Sequence, residues 1–160
     1  MIINRGTQYT LQALIHLVAH PTGKPVQARE LAEQLSLPPL YLAKLLQHPC
    51  RAGWLTSTRG RGGGFSLAPG AEKITLLEII MLTKGERISR ECLLGFKECD
   101  DKTACVMHLH WKPIKQALLE QLGGYTLAQL ASSCKRLPGC LVEKPPAHSR
   151  KATQTPGSSR

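Results

Sequence analysis

An arginine- and glycine-rich stretch, residues 59–64, lies between two short segments that favour β-structure. Its sequence is Arg-Gly-Arg-Gly-Gly-Gly, and residues 54–58 and 65–67 flank it. Such a stretch is too flexible for a hydrophobic core and suits the tip of a hairpin. Three segments before it carry apolar residues at helical spacing. The sequence therefore predicts a mainly α-helical chain that carries one two-stranded hairpin.

The three helices are predicted over residues 9–19, over residues 28–35 and from about Pro39 onward, and a turn over 36–38 joins the last two. Two helices joined in this way and followed by a hairpin make a winged helix-turn-helix, whose last helix can enter a DNA major groove. The hairpin, or wing, can reach phosphates or a minor groove. We expect DNA contacts from this helix and from the wing tip, namely Tyr41, Lys44, Arg59, Gly60, Arg61, Gly62 and Gly63.

The chain is strongly basic, since 21 Lys and Arg residues against 11 Asp and Glu residues give a formal net charge of +10. This excess favours a polyanionic partner, and double-stranded DNA is expected because no apolar run of roughly 18 residues is present to span a membrane. Residues 1–5 do not resemble a secretory signal. We expect a cytoplasmic protein whose cysteines serve as metal ligands, reactive thiols or core residues in a reducing compartment.

The second half of the chain is predicted to consist mainly of helices. Thr75 and Glu78 have the spacing of a capping box. A longer helix is expected from about Thr103 to Leu122, interrupted by Pro113. Its apolar seam, typical of a helix that pairs with another helix, consists of Met107, Trp111, Ile114 and Leu118. A final short helix is expected over 126–131. The predicted regions are a DNA-binding region 1–70, a region of cysteine loop and dimerisation helices 71–132, and a disordered basic tail 133–160.

Three cysteines and a histidine are concentrated in one loop-like stretch, Cys92-x6-Cys99-x5-Cys105-x2-His108. A loop can wrap thiolates around a metal centre. The wide spacing favours an iron–sulfur cluster over zinc, whose structural sites usually contain a closer cysteine pair. Zinc ligation and simple burial of the thiols remain the alternatives. Of the other cysteines, Cys50 is expected to be a packing residue, as are Cys134 and Cys140, for which a labile thiol pair is the alternative.

These motifs resemble the Rrf-type family of winged-helix transcriptional regulators, which includes IscR-like, NsrR-like and RirA-like members. The likeness extends over about residues 1–132 and is carried by the patterns Leu31-Ala32-x5-Leu37-x3-Tyr41-Leu42-x2-Leu45, Arg51-Ala52-Gly53-x-Leu55, Arg59-Gly60-x-Gly62-Gly63-Gly64-Phe65-x-Leu67, the cysteine triplet, Cys105-x2-His108-x2-Trp111 and Thr126-Leu127-x2-Leu130. The resemblance implies a homodimer with crossed long helices and a 2Fe–2S or 4Fe–4S cluster bound by the three cysteines.

The resemblance also bears on the fourth cluster ligand. The IscR-like pattern places it on His108, with His110 as a rival. The NsrR-like pattern uses a carboxylate of the first helix, often donated by the other subunit. Here the matching stretch holds Gln8 and Gln12, which are poor iron ligands. We therefore predict that Cys92, Cys99, Cys105 and His108 are the ligands.

The chain departs from the family pattern in three places. The first cysteine gap is one residue longer than usual, which permits a different loop path or cluster type. Pro49-Cys50 lies late in the third helix, so we expect that helix to end early. Ala43 stands where the IscR-like members have a base-reading acid, so the operator sequence does not follow from the resemblance.

The sequence-based hypothesis is a homodimeric repressor that binds a palindromic operator and senses redox state, nitric oxide or iron through its cluster. The first alternative is a zinc- or thiol-based redox regulator on the same fold. The second is an electron-transfer or cluster-carrier protein that does not bind DNA. No nucleophile–base pair is evident from the sequence, and we therefore do not expect an enzyme.

Overall fold

The computed structural model describes residues 3–85, 90, 92–96 and 99–136. Within these ranges the helices are α1 (Arg5–Ala19), α2 (Ala28–Gln34), α3 (Pro39–Leu45), α4 (Gln47–Arg51), α5 (Leu76–Lys84), α6 (His108–Gly124) and α7 (Leu127–Arg136). The strands are β1 (Leu55–Thr58) and β2 (Gly64–Leu67). Two 3₁₀ turns cover Ala71–Lys73 and Asp101–Thr103. The fold is the predicted mainly helical one with a two-stranded antiparallel wing.

Helix α1 begins one turn earlier than its apolar pattern indicates. The side chain of Asn4 caps it by accepting a hydrogen bond from the Thr7 backbone N–H at 2.8 Å. Asn satisfies one of the free N–H groups at a helix start. The apolar face of α1 contains Ala13 and Leu14, which are fully buried at the centre of the core.

The turn between α2 and α3 has the hydrogen bonds of a Schellman motif. The N–H of Leu37 donates to the carbonyl of Ala32 at 2.7 Å, and the N–H of Ser36 donates to Glu33 at 3.2 Å. Ser36 therefore adopts a left-handed backbone with φ of 54°. This closure fixes α3 against α2, and Leu31 and Leu42 are buried from the two helices.

The predicted early end of the third helix is confirmed. Helix α3 stops at Leu45, and a second short helix, α4, resumes at Gln47. Pro49 has no N–H to donate to the carbonyl four residues earlier, which is that of Leu45, and its ring crowds that carbonyl. Pro49 is itself fully buried, so the break is built into the core.

The wing is attached to the core by a contact that the sequence did not reveal. Val26, between α1 and α2, forms a β-bridge to Phe65 of β2, with N–H to carbonyl distances of 2.9 and 2.8 Å. A Cβ on Gly64 would lie 2.3 Å from the Val26 carbonyl oxygen. The absence of a side chain at Gly64 therefore lets the two backbones pair. The hairpin itself pairs Leu55 with Leu67 and Thr58 with Gly64.

The capping box at the start of α5 is confirmed, because Thr75 and Glu78 exchange backbone and side-chain hydrogen bonds. The prediction for the long helix was wrong at its start, since α6 begins at His108 rather than near Thr103. Residues 101–103 instead form a 3₁₀ turn. The helix includes Pro113 and continues to Gly124.

The last helix is longer than predicted and belongs to the core. Helix α7 continues to Arg136 instead of ending at 131, and it packs mainly on α1. Leu127 and Ala131 are buried in the same cluster as Leu14 and Leu31. The helices α1, α2 and α3 and the last helix thus share one core. No helix among the described residues is long and apolar enough to cross a membrane.

Candidate functional site

His108 lies at the start of α6 between a thiol and a carboxylate. Its Nδ1 atom is 3.4 Å from Cys99 Sγ, and its Nε2 atom is 2.8 Å from Asp101 Oδ1. The side chain is only 4% exposed. A backbone bond from the His108 N–H to the Cys105 carbonyl, 2.9 Å long, closes the turn that brings the loop onto the helix.

The contacts of His108 determine which ring nitrogen carries the proton. The Asp101 carboxylate also accepts two hydrogen bonds of 2.8 Å from the Lys112 ammonium, one at each oxygen. Lys112, and then His108, hold the pKa of Asp101 below its usual value. An ionised carboxylate only accepts hydrogen bonds, so Nε2 of His108 must be the donor. In a neutral ring the Nδ1 lone pair then faces Cys99, as in carboxylate–histidine pairs that orient a metal ligand.

Cys92 is 9% exposed, at the start of its loop. Hydrogen bonding by the backbone of Leu94, Phe96 and Gly95 and by the side chain of Cys105 lowers the pKa of its thiol. The Leu94 N–H is the largest cause of a pKa of Cys92 below the ordinary value, against the opposing effect of burial. Gly95 has a φ of 77°, a conformation that glycine adopts without strain. The loop therefore stabilises a thiolate at Cys92.

Two of the four predicted ligands are in direct contact, since Cys99 Sγ lies 3.4 Å from His108 Nδ1. Cys105 is among the groups that lower the pKa of Cys92. In the part of the chain that the structure describes, no three His, Cys, Asp or Glu side chains form a group that could hold a metal ion. Ligation of a cluster by these residues thus stays a prediction.

The structure brings together three side chains that the sequence did not connect. Cys99, His108 and Asp101 form a thiol–imidazole–carboxylate row. The spacing of Asp101 in the sequence carries no motif that would have indicated this role. Its position depends on the 3₁₀ turn and on the start of α6.

A cavity of about 570 Å³ opens beside this row. Its walls include Arg90, Lys112 and Lys115 in addition to Cys99 and His108. Lys115 is 9% exposed, and no carboxylate of the described residues lies within ion-pair distance of it. The sequence offered no signal for Lys115, which appeared as one lysine among many.

The rival ligands are placed differently. His110 is exposed to solvent, whereas His108 faces the cysteine loop. Gln12, on α1, has a buried side-chain oxygen with no hydrogen-bond partner. Gln8 lies on the same helix and does have an interaction partner. The arrangement favours His108 over His110 as the nearby nitrogen donor.

The remaining cysteines are not all alike. Cys134, on α7, packs against the core as expected, but it is also disulfide-bonded, whereas the sequence favoured free thiols. Cys50, like the three loop cysteines, is a free thiol, and burial raises its pKa. Cys140 lies outside the described residues.

The predicted DNA-binding residues lie on α3 and on the wing tip. Arg59 and Arg61 are exposed at the tip, and Lys44 is exposed on α3. Tyr41 is 43% exposed and packs edge-on against Tyr9, with ring centroids 6.1 Å apart.

The wing glycines have separate structural reasons. Gly60 and Gly62 have positive φ values of 97° and 78°, which turn the chain at the tip. Gly63 is buried, and a Cβ there would lie 2.3 Å from the Thr58 carbonyl oxygen. The tip is therefore a tight turn that presents two arginines, and the lack of a side chain at Gly63 lets its backbone pack closely against Thr58.

Comparison with known proteins identifies the family. The model of the Rrf2 family, described as iron-dependent transcriptional regulator, matches residues 3–133. The chain belongs to the Rrf2 family. The Rrf2 protein of Nitratidesulfovibrio vulgaris is 27% identical over 139 residues, which are 85% of this chain and 93% of that protein.

Solved structures of Rrf2-type regulators have the same fold. CymR, the global cysteine regulator of B. subtilis, has a TM-score of 0.65 and 30% identity, covering 82% of this chain and 96% of its own. The IscR of T. potens has a TM-score of 0.64 and 25% identity, covering 84% and 88%. These matches confirm the predicted winged-helix fold and the predicted family. The chain is an Rrf2-family transcriptional regulator, and regulators of this family bind DNA and are not enzymes.

Proposed function

We propose that this Rrf2-family protein is a homodimeric repressor that senses redox state, nitric oxide or iron through an iron–sulfur cluster. The observation that carries the proposal is the position of His108, held by Asp101 with its other nitrogen toward Cys99. Cysteine spacing alone also suits a redox thiol. A buried imidazole with an oriented lone pair beside a thiol is a donor set that suits a metal centre.

The residues fit a cluster in kind. Cys92, Cys99 and Cys105 would supply three thiolates, and His108 would supply one nitrogen. Backbone N–H groups lie near Cys92 in the loop. Hydrogen bonds from such groups to the sulfurs of a cluster stabilise it and shift its reduction potential. When bound, the cluster would supply a redox-active centre that oxygen, nitric oxide or iron scarcity can alter.

Helix α6 connects this site to the proposed dimer seam. His108 is its first residue, and Ile114, one and a half turns further on, is 59% exposed. Trp111 and Leu118, on the same face of the helix, are half-buried. Exposed apolar side chains on a long helix favour pairing with a second subunit. A change at His108 would then move the start of the helix that packs against the second subunit.

The DNA-binding face completes the proposal. A palindromic operator fits a two-fold dimer that presents one α3 and one wing to each half-site. The basic residues Lys44, Arg59 and Arg61 are exposed where this geometry requires contacts to phosphates and base edges.

The test is operator binding by protein purified without oxygen. Duplexes selected from a random pool should yield an inverted repeat, and affinity for it should change when the cluster is removed by chelation or air. Equal affinity of the cluster-bound and cluster-free protein would refute the sensing role. Failure to select any sequence would refute operator recognition itself.

A thiol-based redox regulator is the second candidate, and the Cys92–Cys105 contact favours it. Cys92 has a lowered pKa and Cys105 is its hydrogen-bond partner. Hydrogen peroxide would transfer one oxygen atom to the Cys92 thiolate, and with one proton taken from solvent the products are a sulfenic acid and water. Cys105 would then displace a second water to form a disulfide. A similar structure, Staphylococcus aureus CymR at 27% identity, was solved in an oxidised form.

The two candidates differ in what the purified protein contains. A cluster regulator carries iron and sulfide and is coloured, whereas a thiol regulator carries neither. Mass spectrometry of the metal-free protein after peroxide treatment should show a Cys92–Cys105 disulfide if the second candidate is correct. Metal-free protein that controls DNA binding through this disulfide would displace the cluster proposal.

A further inference from the structure

The recognition helix exposes a leucine that the core does not use. Leu40, the second residue of α3, is 89% exposed, more than any other large apolar side chain in the described part of the chain. Leu42, two residues later, is buried, as is Leu46 just beyond the helix. The apolar face of α3 that packs into the core therefore does not include Leu40. Core packing does not account for a leucine at this position.

Leu40 shares its helical face with three outward-facing residues. Ala43, Lys44 and Gln47 follow it at three, four and seven positions, the spacing of one helix face. Lys44 and Gln47 are exposed and Ala43 is partly exposed. The Gln47 amide donates to the Ala43 carbonyl at 3.4 Å, although α3 has ended at Leu45. The face is therefore apolar at its first turn and polar beyond it, and residues 39–47 contain no carboxylate.

We propose that Leu40 reads the 5-methyl group of a thymine in each operator half-site. The first turn of a recognition helix is the part that meets base edges. In the major groove the thymine methyl is the apolar feature, and apolar side chains recognise it by contact. A cation one turn away, Lys44, is placed for a phosphate or a guanine. This inference rests on the proposed DNA-binding function and adds the base that the helix selects.

A protein partner is the competing occupant, and the surroundings do not favour it. Lys44 lies one turn from Leu40, and the exposed face is a narrow one with a single large apolar side chain. Protein interfaces usually need a cluster of large apolar residues at their centre. Lone exposed leucines are also common on surfaces without any partner. A protein partner at Leu40 and an exposed leucine without any partner both predict that the thymine methyl group has no effect on binding.

The experiment uses the full chain and an operator selected from random duplexes. Each thymine is replaced singly by deoxyuridine, which removes one methyl group and keeps base pairing. One position in each half-site should lose about fourfold in affinity, the factor that corresponds to the burial of one methyl-sized group. Leu40→Ala should bind the thymine and deoxyuridine operators equally, while Leu40→Met should still prefer thymine.

The controls separate this inference from the proposed function. Leu40→Ala should unfold at the same temperature as the parent because the side chain is exposed. Ala43→Ser should keep the thymine preference. A parent protein that binds its operator but shows no deoxyuridine effect overturns the inference and leaves the function intact. A methyl effect that survives in Leu40→Ala, or vanishes in Ala43→Ser alone, assigns the contact elsewhere. A protein that selects no operator refutes both.

Discussion

The Nδ1 atom of His108 lies 3.4 Å from the Sγ atom of Cys99, nine positions apart in sequence. One residue belongs to the cysteine loop and the other begins α6. The contact therefore joins the loop, where a chemical signal would act, to the helix that carries the apolar seam. Asp101 accepts a hydrogen bond from the other ring nitrogen, Nε2, and this bond limits rotation of the ring. A rearrangement of the loop would have to be accommodated by the first turn of α6.

The first prediction concerns the wing. Arg59→Ala and Arg61→Ala should each weaken operator binding because both side chains are exposed at the tip. An arginine that contacts phosphate should lower the log–log salt slope by about 1 when removed, equally for all sequences. An arginine in the minor groove should give a loss that depends on A·T content. The control Lys73→Ala removes the same charge from the 3₁₀ turn and should leave the slope unchanged. Full affinity in the double arginine mutant would exclude the wing from the interface.

The second prediction concerns the seat of the wing. Gly64→Ala places a Cβ 2.3 Å from the Val26 carbonyl oxygen and should break the bridge to Phe65. The cost should be at least about 2 kcal/mol of unfolding free energy, from overpacking together with backbone strain. Gly62→Ala has a positive φ but open space, and should cost about 1 kcal/mol. Denaturant titration of both variants measures which substitution lowers the free energy of unfolding more. Equal costs would mean that the Val26 contact is absent in solution.

The parts of the fold that the sequence predicted correctly depend on interactions between residues close together in the chain. The Thr75–Glu78 capping box and the hairpin were predictable because the interactions join residues a few positions apart. The early end of α3 was predictable because Pro49 lacks an N–H. The Val26–Phe65 bridge was not, since it joins residues 39 positions apart and Val26 stands alone between two helices.

The sequence nominated the donors of the candidate site, which stay a prediction, and it did not indicate their geometry. Cysteine and histidine spacing pointed to residues 92–108. The same spacing could not place Asp101 against His108, because that contact depends on a 3₁₀ turn over Asp101–Thr103 that the sequence did not indicate. Lys115 was hidden for another reason. Its burial depends on tertiary packing around α6, and a lysine in a sequence is normally an exposed residue.

The third prediction concerns assembly. Leu118→Asp should put a charge into the proposed seam of α6, at a cost of at least about 3 kcal/mol if the seam is buried by a second subunit. Sedimentation should then show a monomer, and operator binding should be lost. Gln116→Asp places the same charge on the far side of the same helix and should remain dimeric. A Leu118→Asp protein that stays dimeric would show that this face packs within its own subunit.

The fourth prediction concerns pH. Burial, followed by the nearby His20 ring at 4.5 Å, lowers the pKa of His16, while Gln34 and Glu30 oppose the shift. The folded state therefore binds fewer protons here than the unfolded state once the pH falls below about 6.5. Stability from His16 should be fully present near neutral pH and should decrease as the pH falls through 6.5.

The test of that sign compares two variants by thermal unfolding between about pH 5 and 7.5. His16→Gln should flatten the pH dependence relative to the parent. His48→Gln, on the exposed side of α4, should leave it unchanged. A parent that gains stability on acidification, relative to His16→Gln, would reverse the assigned direction.

The central claim is that His108 completes a cluster site with Cys92, Cys99 and Cys105. It is tested most directly by the iron and acid-labile sulfide content, with the visible spectrum, of protein purified without oxygen. The account predicts a brown parent protein with matching iron and sulfide, and a colourless Cys99→Ala variant. His108→Ala should retain a weakened cluster with an altered spectrum and faster loss in air, while His110→Ala should match the parent. A colourless parent that contains zinc or no metal, or a His108→Ala protein indistinguishable from the parent, would contradict the account.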